Sequence, residues 1–465
     1  MKVAKFGGSS VASAEQIKKV CNIITADAER RLVVVSAPGK RCKEDEKTTD
    51  LLIALADQYL LKGSAEAELQ KVIARYEDIA QNLNLGTDII EEIRADLKAR
   101  LAIDTNNPGL FMDSLKASGE DNNAKLIANY LQSLGIEAHY INPKEAGLLV
   151  SNEAGNAQVL PESYDNLYKL REKSGILIFP GFFGYSPEGT LVTFPRGGSD
   201  ITGAILAAAV QADLYENFTD VDSVYVVNPN LVENPQEISE LTYSEMRELS
   251  YAGFSVFHEE ALAPAVRASI PVCIKNTNNP SAPGTKIIAK RQYALNPVVG
   301  IASDTGFLSI YVEKYLMNRE IGFGRKLLQI LEEEHVSYEH TPSGIDSISV
   351  ILRANQLNAE KEMRLVERIK NELKVDKVEI ERGLALIMIV GEAMHQTIGI
   401  AARAVSAIQR SNVNIEMINQ GSSEVSMMFG VKEEGADKAV RSIYEEYFEK
   451  SYVEEALQNP YPVRS

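Results

Sequence analysis

Through about the first 290 residues, short apolar runs alternate with segments of helical period. Lys2–Phe6, Leu32–Ser36, Ala138–Ile141, Gly175–Phe179, Leu214–Phe218 and Val272–Lys275 are short and largely apolar, which predicts buried strands. Glu15–Ala26, Asp50–Leu61, Asn122–Leu134 and Ile201–Val210 carry apolar residues at helical spacing. Strands that are continuously apolar belong to sheets covered on both faces. The pattern therefore predicts an α/β sandwich with a mostly parallel sheet. Residues 63–107, rich in Ala, Glu, Leu and Lys, read as a helical excursion from that core.

A loop dense in turn formers follows, Asn278-Asn279-Pro280-Ser281-Ala282-Pro283-Gly284. After about residue 295 the pattern changes and repeats. Leu308-Ser309-Ile310-Tyr311-Val312 matches Ala385-Leu386-Ile387-Met388-Ile389, and Gly322 matches Gly399. His335–Glu339 matches Asn412–Glu416, Gly344 matches Gly421, and Ile348-Ser349 matches Val425-Ser426, every pair 77 residues apart. Each copy reads strand, Gly turn, helix, strand, Gly loop, strand and a charged helix, Ala359–Leu373 or Gly435–Phe448. That order predicts two ferredoxin-like βαββαβ modules. Two copies are too few for a solenoid.

The totals exclude several classes. The 465 residues predict two or three domains. With 48 Lys and Arg against 65 Asp and Glu the net charge is −17, which argues against a nucleic-acid surface. Cys21, Cys42 and Cys273 are far apart and lack metal spacing, which suits a reducing cytoplasm. No apolar run is long enough to span a membrane, and Lys5-Phe6-Gly7-Gly8 interrupts the stretch where a signal peptide would be apolar.

Four stretches carry candidate chemistry. Lys5-Phe6-Gly7-Gly8-Ser9-Ser10 joins the first strand to a helix that Ser13 and Gln16 would open as a capping box. Backbone N–H groups at such a junction, with a lysine beside them, can hold an anion. Glycine packing in a tight turn is the other reading. Phe194-Pro195-Arg196-Gly197-Gly198-Ser199-Asp200 repeats the glycine pair and adds a guanidinium suited to a carboxylate. Thr219-Asp220-Val221-Asp222 follows a strand, where α/β sheets bind ligands, or forms an acidic surface turn. Ser118-Gly119-Glu120 reads as the approach to a helix, where Glu120 would meet a ligand ammonium or favour the helix N-terminus. Ser36-Ala37 and Thr49 occupy similar junctions. The five histidines are scattered singly, and no metal or Ser-His-Asp constellation is present in the sequence.

In this order the stretches resemble the aspartokinases, ATP-dependent L-aspartate 4-kinases of the amino acid kinase superfamily. The motifs are KFGGSSV, the Ser-Ala of VVVSAPG, TTDLLIAL, SGED, FPRGGSDITGAILA, TDVDSVY and NPSAPGT, and the C-terminal repeats resemble paired ACT domains. The resemblance implies a catalytic domain over 1–292, a first ACT module over 297–380 completed by residues near 450–465, and a second over 381–450. It implies that Lys5 and Asp200 are catalytic, with Lys5, Phe6, Gly7, Gly8 and Ser9 on the transferring phosphoryl group. Thr219, Asp220 and Tyr225 would face the nucleotide. Asn230 and Ser255 stand where the family commonly has Arg and Lys, so the phosphate contacts there are altered. Ser36, Thr49, Glu120, Arg196, Gly198 and Ser199 would hold L-aspartate, with Arg196 on its α-carboxylate and Glu120 near its ammonium. ATP and nucleotide-bound Mg²⁺ are implied, with no metal ligand assigned to the protein.

The ACT pair implies feedback by an end-product amino acid, lysine or threonine. Met317, Gly322, Phe323, Glu339 and Ser343 are the candidate effector residues, and a carboxylate at Glu339 favours lysine. Exposed sheet edges imply a homo-oligomer, dimer or tetramer, built through these modules. Another amino acid kinase and a catalytically weakened amino-acid sensor are the competing readings. The ACT pair and SGED weigh against the first, and Lys5, Arg196 and Asp200 against the second.

Overall fold

In a computed structural model, residues 1–195, 197–254, 259–291, 296–421 and 425–449 are described. Arg196, Ser255 and the C-terminal 450–465 segment fall outside them. The chain forms two units. The first comprises Met1–Val224, Glu237–Tyr243 and Ser255–Arg291, and the second Tyr225–Gln236, Ser244–Phe254 and everything from Gln292 onward. Two segments expected inside a catalytic domain over 1–292 thus group with the C-terminal unit.

The first unit holds an eight-stranded sheet. Its strands are β1 (Lys2–Phe6), β2 (Arg30–Val35), β3 (Ala138–Tyr140), β4 (Ile176–Pro180), β5 (Leu214–Thr219), β6 (Glu240–Thr242), β7 (Val272–Asn276) and β8 (Thr285–Ile288). The order is β6-β8-β7-β5-β1-β2-β4-β3, and every pairing is parallel except β7 with β8. The sandwich with a mostly parallel sheet is therefore the observed one. Central strands are buried on both faces, as their unbroken apolar runs require.

The helices are α1 (Ala14–Thr25), α2 (Thr48–Lys62), α3 (Glu66–Asn82), α4 (Asp88–Leu101), α5 (Pro108–Ser133) and α6 (Gly198–Ala209). Stretch 63–107 is helical as expected, but it is no excursion. Leu69, Val72, Ile73, Ile93 and Leu97 share one buried cluster with Val33, Val35 and Leu115. Helix α5 differs most from expectation: it starts at Pro108, capped by the Asn107 side chain, and runs through Ser118-Gly119-Glu120. Gly119 looked like punctuation, but it is a packing requirement. A Cβ there would lie 2.8 Å from the Ala37 Cβ, so only glycine lets α5 approach the end of β2.

The second unit holds a five-stranded antiparallel sheet. Its strands are β9 (Gly300–Glu313), β10 (Ser347–Arg353), β11 (Lys377–Val390), β12 (Met417–Asn419) and β13 (Ser426–Lys432), in the order β10-β9-β11-β13-β12. The helices α8 (Phe323–Glu333), α9 (Ala359–Leu373), α10 (Ile400–Arg410) and α11 (Glu433–Tyr444) cover it, and α7 (Tyr243–Tyr251) packs nearby from residue 244. Both repeats contribute strands and helices to this one sheet, the second strand of the first copy being reduced to the His340–Ile351 bridge, and the two copies are interlocked. The second half of β9, Phe307–Glu313, pairs with Lys377–Leu384, so β11 gives the first module its fourth strand. The first half, Gly300–Asp304, pairs with Leu386–Val390 and gives the second module its fourth strand. The first module is thus inserted into the second, and the expected completion by residues near 450–465 lies outside the described residues. A fixed 77-residue offset reveals two copies but not which half of a long strand serves which copy.

Candidate active site

Lys5 is the fourth residue of β1, a strand flanked by β2 and β5, and lies beside Val34 and Asn217. It is 7 % exposed. Its Nζ lies 2.6 Å from Asp200 Oδ1 and 3.5 Å from Asn217 Oδ1. Asn217 Nδ2 donates to the same Asp200 oxygen at 2.6 Å, closing a triangle of cation, carboxylate and amide. Buried charges persist only when paired and hydrogen-bonded, and this arrangement meets both conditions.

Asp200 sits in the first turn of α6, whose N-cap is Gly197 at φ 81°. That left-handed conformation favours glycine. Beneath it, the Tyr215 hydroxyl donates to the Asp200 carbonyl at 3.2 Å. Burial holds the Tyr215 phenol well above its usual pKa, so it stays a donor. A Cβ on Gly203 would fall 2.4 Å from that hydroxyl, which explains the glycine in ITGA. The sequence reading missed Asn217 and Tyr215. Their signal was an Asn inside the otherwise buried strand β5.

The glycine turn is equally constrained. Gly7 N donates to Phe218 O at 3.2 Å, and Ser36 N donates to Phe6 O at 3.1 Å. These bonds tie the turn to the ends of both neighbouring strands. A Cβ on Gly7 would lie 3.4 Å from Lys5 Nζ, so the amine stands directly over the turn. Gly8 to Val11 form a 3₁₀ turn, and Ser9 is exposed while Ser10 bonds Thr277 at 2.7 Å. Ser13 caps α1 through Gln16 N at 3.4 Å, but Gln16's side chain turns to Asn278 instead of closing a capping box.

Glu120 and Asn123 of α5 face the end of β2. Asn123 Nδ2 donates to Ser36 O at 2.7 Å. Glu120 is buried, and its Oε2 has no hydrogen-bond partner among the described residues. Burial pushes its carboxyl up to about 8, opposed by the Ala37 amide and the Lys116 charge. An unpaired buried carboxyl is costly, so a cationic partner is the natural complement. Ser199 is buried against Gly181, where a Cβ would lie 2.6 Å from Ser199 Oγ. Gly198 is buried in the same turn, and Thr49 is half-buried at the start of α2.

Thr219 and Asp220 follow β5 at the same edge, with Thr219 Oγ1 3.1 Å from Asp220 Oδ1. Lys5, Gly7, Gly8, Ser36 and Thr219 lie at or just past the carboxyl ends of parallel strands, the ligand edge of such sheets, and the first turn of α6 reaches that edge through Asp200 on Lys5 and Ser199 against Gly181. Tyr225 and Asn230 belong to the second unit, where Tyr225 is half-buried and Asn230 is exposed. Arg196 and Ser255 lie outside the described residues.

An amino acid kinase family model matches residues 1–276, and an ACT domain model matches 387–447. The chain is 64% identical over 448 residues to aspartokinase 3 of Bacillus subtilis, covering 96% of this chain and 99% of that one. The chain belongs to the aspartokinase family. A crystal structure of Clostridium acetobutylicum aspartate kinase, 39% identical, matches 96% of the chain and all of its own at a TM-score of 0.87. Crystal structures of Escherichia coli aspartokinase III, one with aspartate and ADP and one with lysine and aspartate, match at a TM-score of 0.75 and 26% identity. They cover 96% of this chain and 100% and 99% of their own. The family read from the motifs is the family found, and the chain is an aspartate kinase carrying ACT modules.

Proposed function

We propose that the site transfers the γ-phosphoryl group of ATP to the side-chain carboxylate of L-aspartate, in the cytoplasm, as the first step toward lysine, threonine and methionine. The observation that carries this reading is the buried Lys5–Asp200–Asn217 triangle over the Gly7–Gly8 turn. In it Asp200 aims the Lys5 amine, and Lys5 with the turn Phe6–Ser9 receives the phosphoryl group. Thr219, Asp220, Tyr225, Asn230 and Ser255 serve the nucleotide. Glu120 takes the ammonium of aspartate, and Arg196 its α-carboxylate. Ser36, Thr49, Gly198 and Ser199 complete that side.

The chemistry needs no general base, because the acceptor carboxylate is already ionised at neutral pH. Its oxygen forms the new P–O bond as the bond to the β-phosphate breaks, and ADP leaves with the electron pair. The obstacle is bringing two anions together. A preorganised cation answers it, and positioning supplies much of the rest. Among the described residues no group of three or more His, Cys, Asp or Glu side chains could hold a metal ion. Mg²⁺ would arrive on the nucleotide's phosphates, where it supplies charge neutralisation. ADP release should depend on L-aspartate; equal release with L-glutamate, or none with either acid, would contradict the reading.

The effector proposed is lysine, bound at the first ACT module near Met317, Gly322, Phe323, Glu339 and Ser343. Met317 and Phe323 are buried, and Gly322 caps α8 at φ 80°. Glu339 accepts from the Tyr251 hydroxyl and lies 3.7 Å from Arg353 Nε, so an incoming ammonium would compete with both. Support for lysine therefore rests more on the lysine complex of the Escherichia coli relative than on a free carboxylate. Ile321 and Ile345 of this module are 98% and 70% exposed, which supports pairing with a second copy. Lysine alone is expected to inhibit at least tenfold at saturation. Inhibition by threonine alone, or by neither, would overturn the assignment.

A further inference from the structure

Helix α3 carries no recognised motif, yet it reaches both sides of the site. Arg75 projects from it into the interior, with its side chain 3% exposed. Nη1 donates to Asp45 Oδ2 at 2.7 Å, and Nη2 donates to the Gly39 carbonyl. Gly39 in turn donates its N–H to Gly8 O at 2.8 Å. A Cβ on Gly39 would lie 2.6 Å from Gly8 C and 2.9 Å from Ser9 N, so the two backbones are in direct contact. The loop after β2 is therefore laid onto the glycine turn under Lys5, and Arg75 holds it there.

We infer that Arg75 is a positioning residue for phosphoryl transfer: clamped by Asp45, its guanidinium fixes Gly39, and Gly39 fixes Gly8. The inference rests on the reading of Gly7–Gly8 as the phosphate turn. Asp45 is suited to the clamp because it also accepts from Arg41 N and Nε, both at 2.9 Å, and Nη2 at 3.0 Å. Those bonds, with Arg75, keep its carboxyl far below the usual range, so the clamp stays charged at any working pH. A fork that bridges a carboxylate and a carbonyl is a task for Arg rather than Lys. The next residue, Tyr76, is fully buried and donates to Gly119 O at 2.8 Å, one residue before Glu120. One helix thus braces the phosphate side through Arg75 and the acceptor side through Tyr76.

The test compares Arg75→Met and Arg75→Lys with the unmodified enzyme. A small misplacement of a reacting group costs about 10²-fold in rate. Arg75→Met should therefore lower kcat by about that factor and raise KM for ATP, while KM for aspartate stays within about twofold. Arg75→Lys should recover part of the loss. Amide exchange should quicken in 7–11 and 37–43 but not in β9 to β13. Should Arg75→Met fail to fold, Asp45→Asn should give the same pattern at smaller size. Unchanged kcat, or equal loss of both KM values with exchange raised throughout α3 and α4, would overturn the inference. Lys5→Met in the same assay separates the causes. If it abolishes turnover while Arg75→Met does not, only the bracing role fails; if neither matters, the phosphate turn itself is misread.

Discussion

Lys5→Met is expected to lower kcat by about 10³-fold while leaving the protein folded. Removing one preorganised donor from a developing oxyanion costs about 10²–10³ in rate, and Lys5 also supplies a full charge. The effect should fall on kcat more than on KM for aspartate, because the amine stands over the glycine turn. Breaking a buried ion pair usually costs about 3–5 kcal/mol. Here the penalty should be smaller: Asp200 keeps the Asn217 amide, and its side chain is 18% exposed. Aspartate-dependent ADP release, measured beside a thermal melt, checks both halves. Retained turnover would remove Lys5 from the chemistry.

The second large effect is a pH dependence centred on Glu120. Its carboxyl is pushed up to about 8 by burial, so in the free enzyme near neutrality it is mostly protonated. Only the carboxylate attracts an ammonium strongly. KM for aspartate should therefore fall as pH rises, by about 25-fold between pH 6.5 and 8.5, as the ionised fraction of a group titrating at about 8 grows. Glu120→Gln should raise KM by about 10²-fold and flatten the profile, because a charge-assisted bond to a desolvated group is lost. Stability changes with the opposite sign. The folded carboxyl binds its proton up to about 8, whereas the unfolded one loses it near its ordinary value of 4.5. Unfolding is therefore increasingly favoured as pH rises through that window. Ligand-free melts should show this slope in the parent and lose it in Glu120→Gln. A pH-independent KM in the parent would contradict the role.

The parts of the site that could be read in advance are those set by local sequence. Lys5-Phe6-Gly7-Gly8 was legible because a lysine and paired glycines at a strand end have few uses. Asp200 was legible for the same reason. Asn217 stands next to Glu216 in a buried strand, and its meaning appears only when β5 is laid beside β1 in register. Arg75 was hidden by distance, since nothing local connects a helix of the 63–107 stretch to Gly39. Gly119 misled, because a glycine that admits a neighbouring element inside a helix looks like one in the turn before a helix. The sheet types followed from apolar patterning, but the interlocking of the ACT modules did not. Long strands β9 and β11 each serve both copies, a property of pairing rather than of either sequence.

The most direct measurement is a crystal structure of the enzyme with L-aspartate, Mg²⁺ and a non-hydrolysable ATP analogue. Lys5 Nζ should stand about 3 Å from a γ-phosphate oxygen, with the phosphate on the Gly7–Gly8 turn and the aspartate ammonium at Glu120. A γ-phosphate bound at another strand edge, with Lys5 and Asp200 facing away from it, would contradict the account.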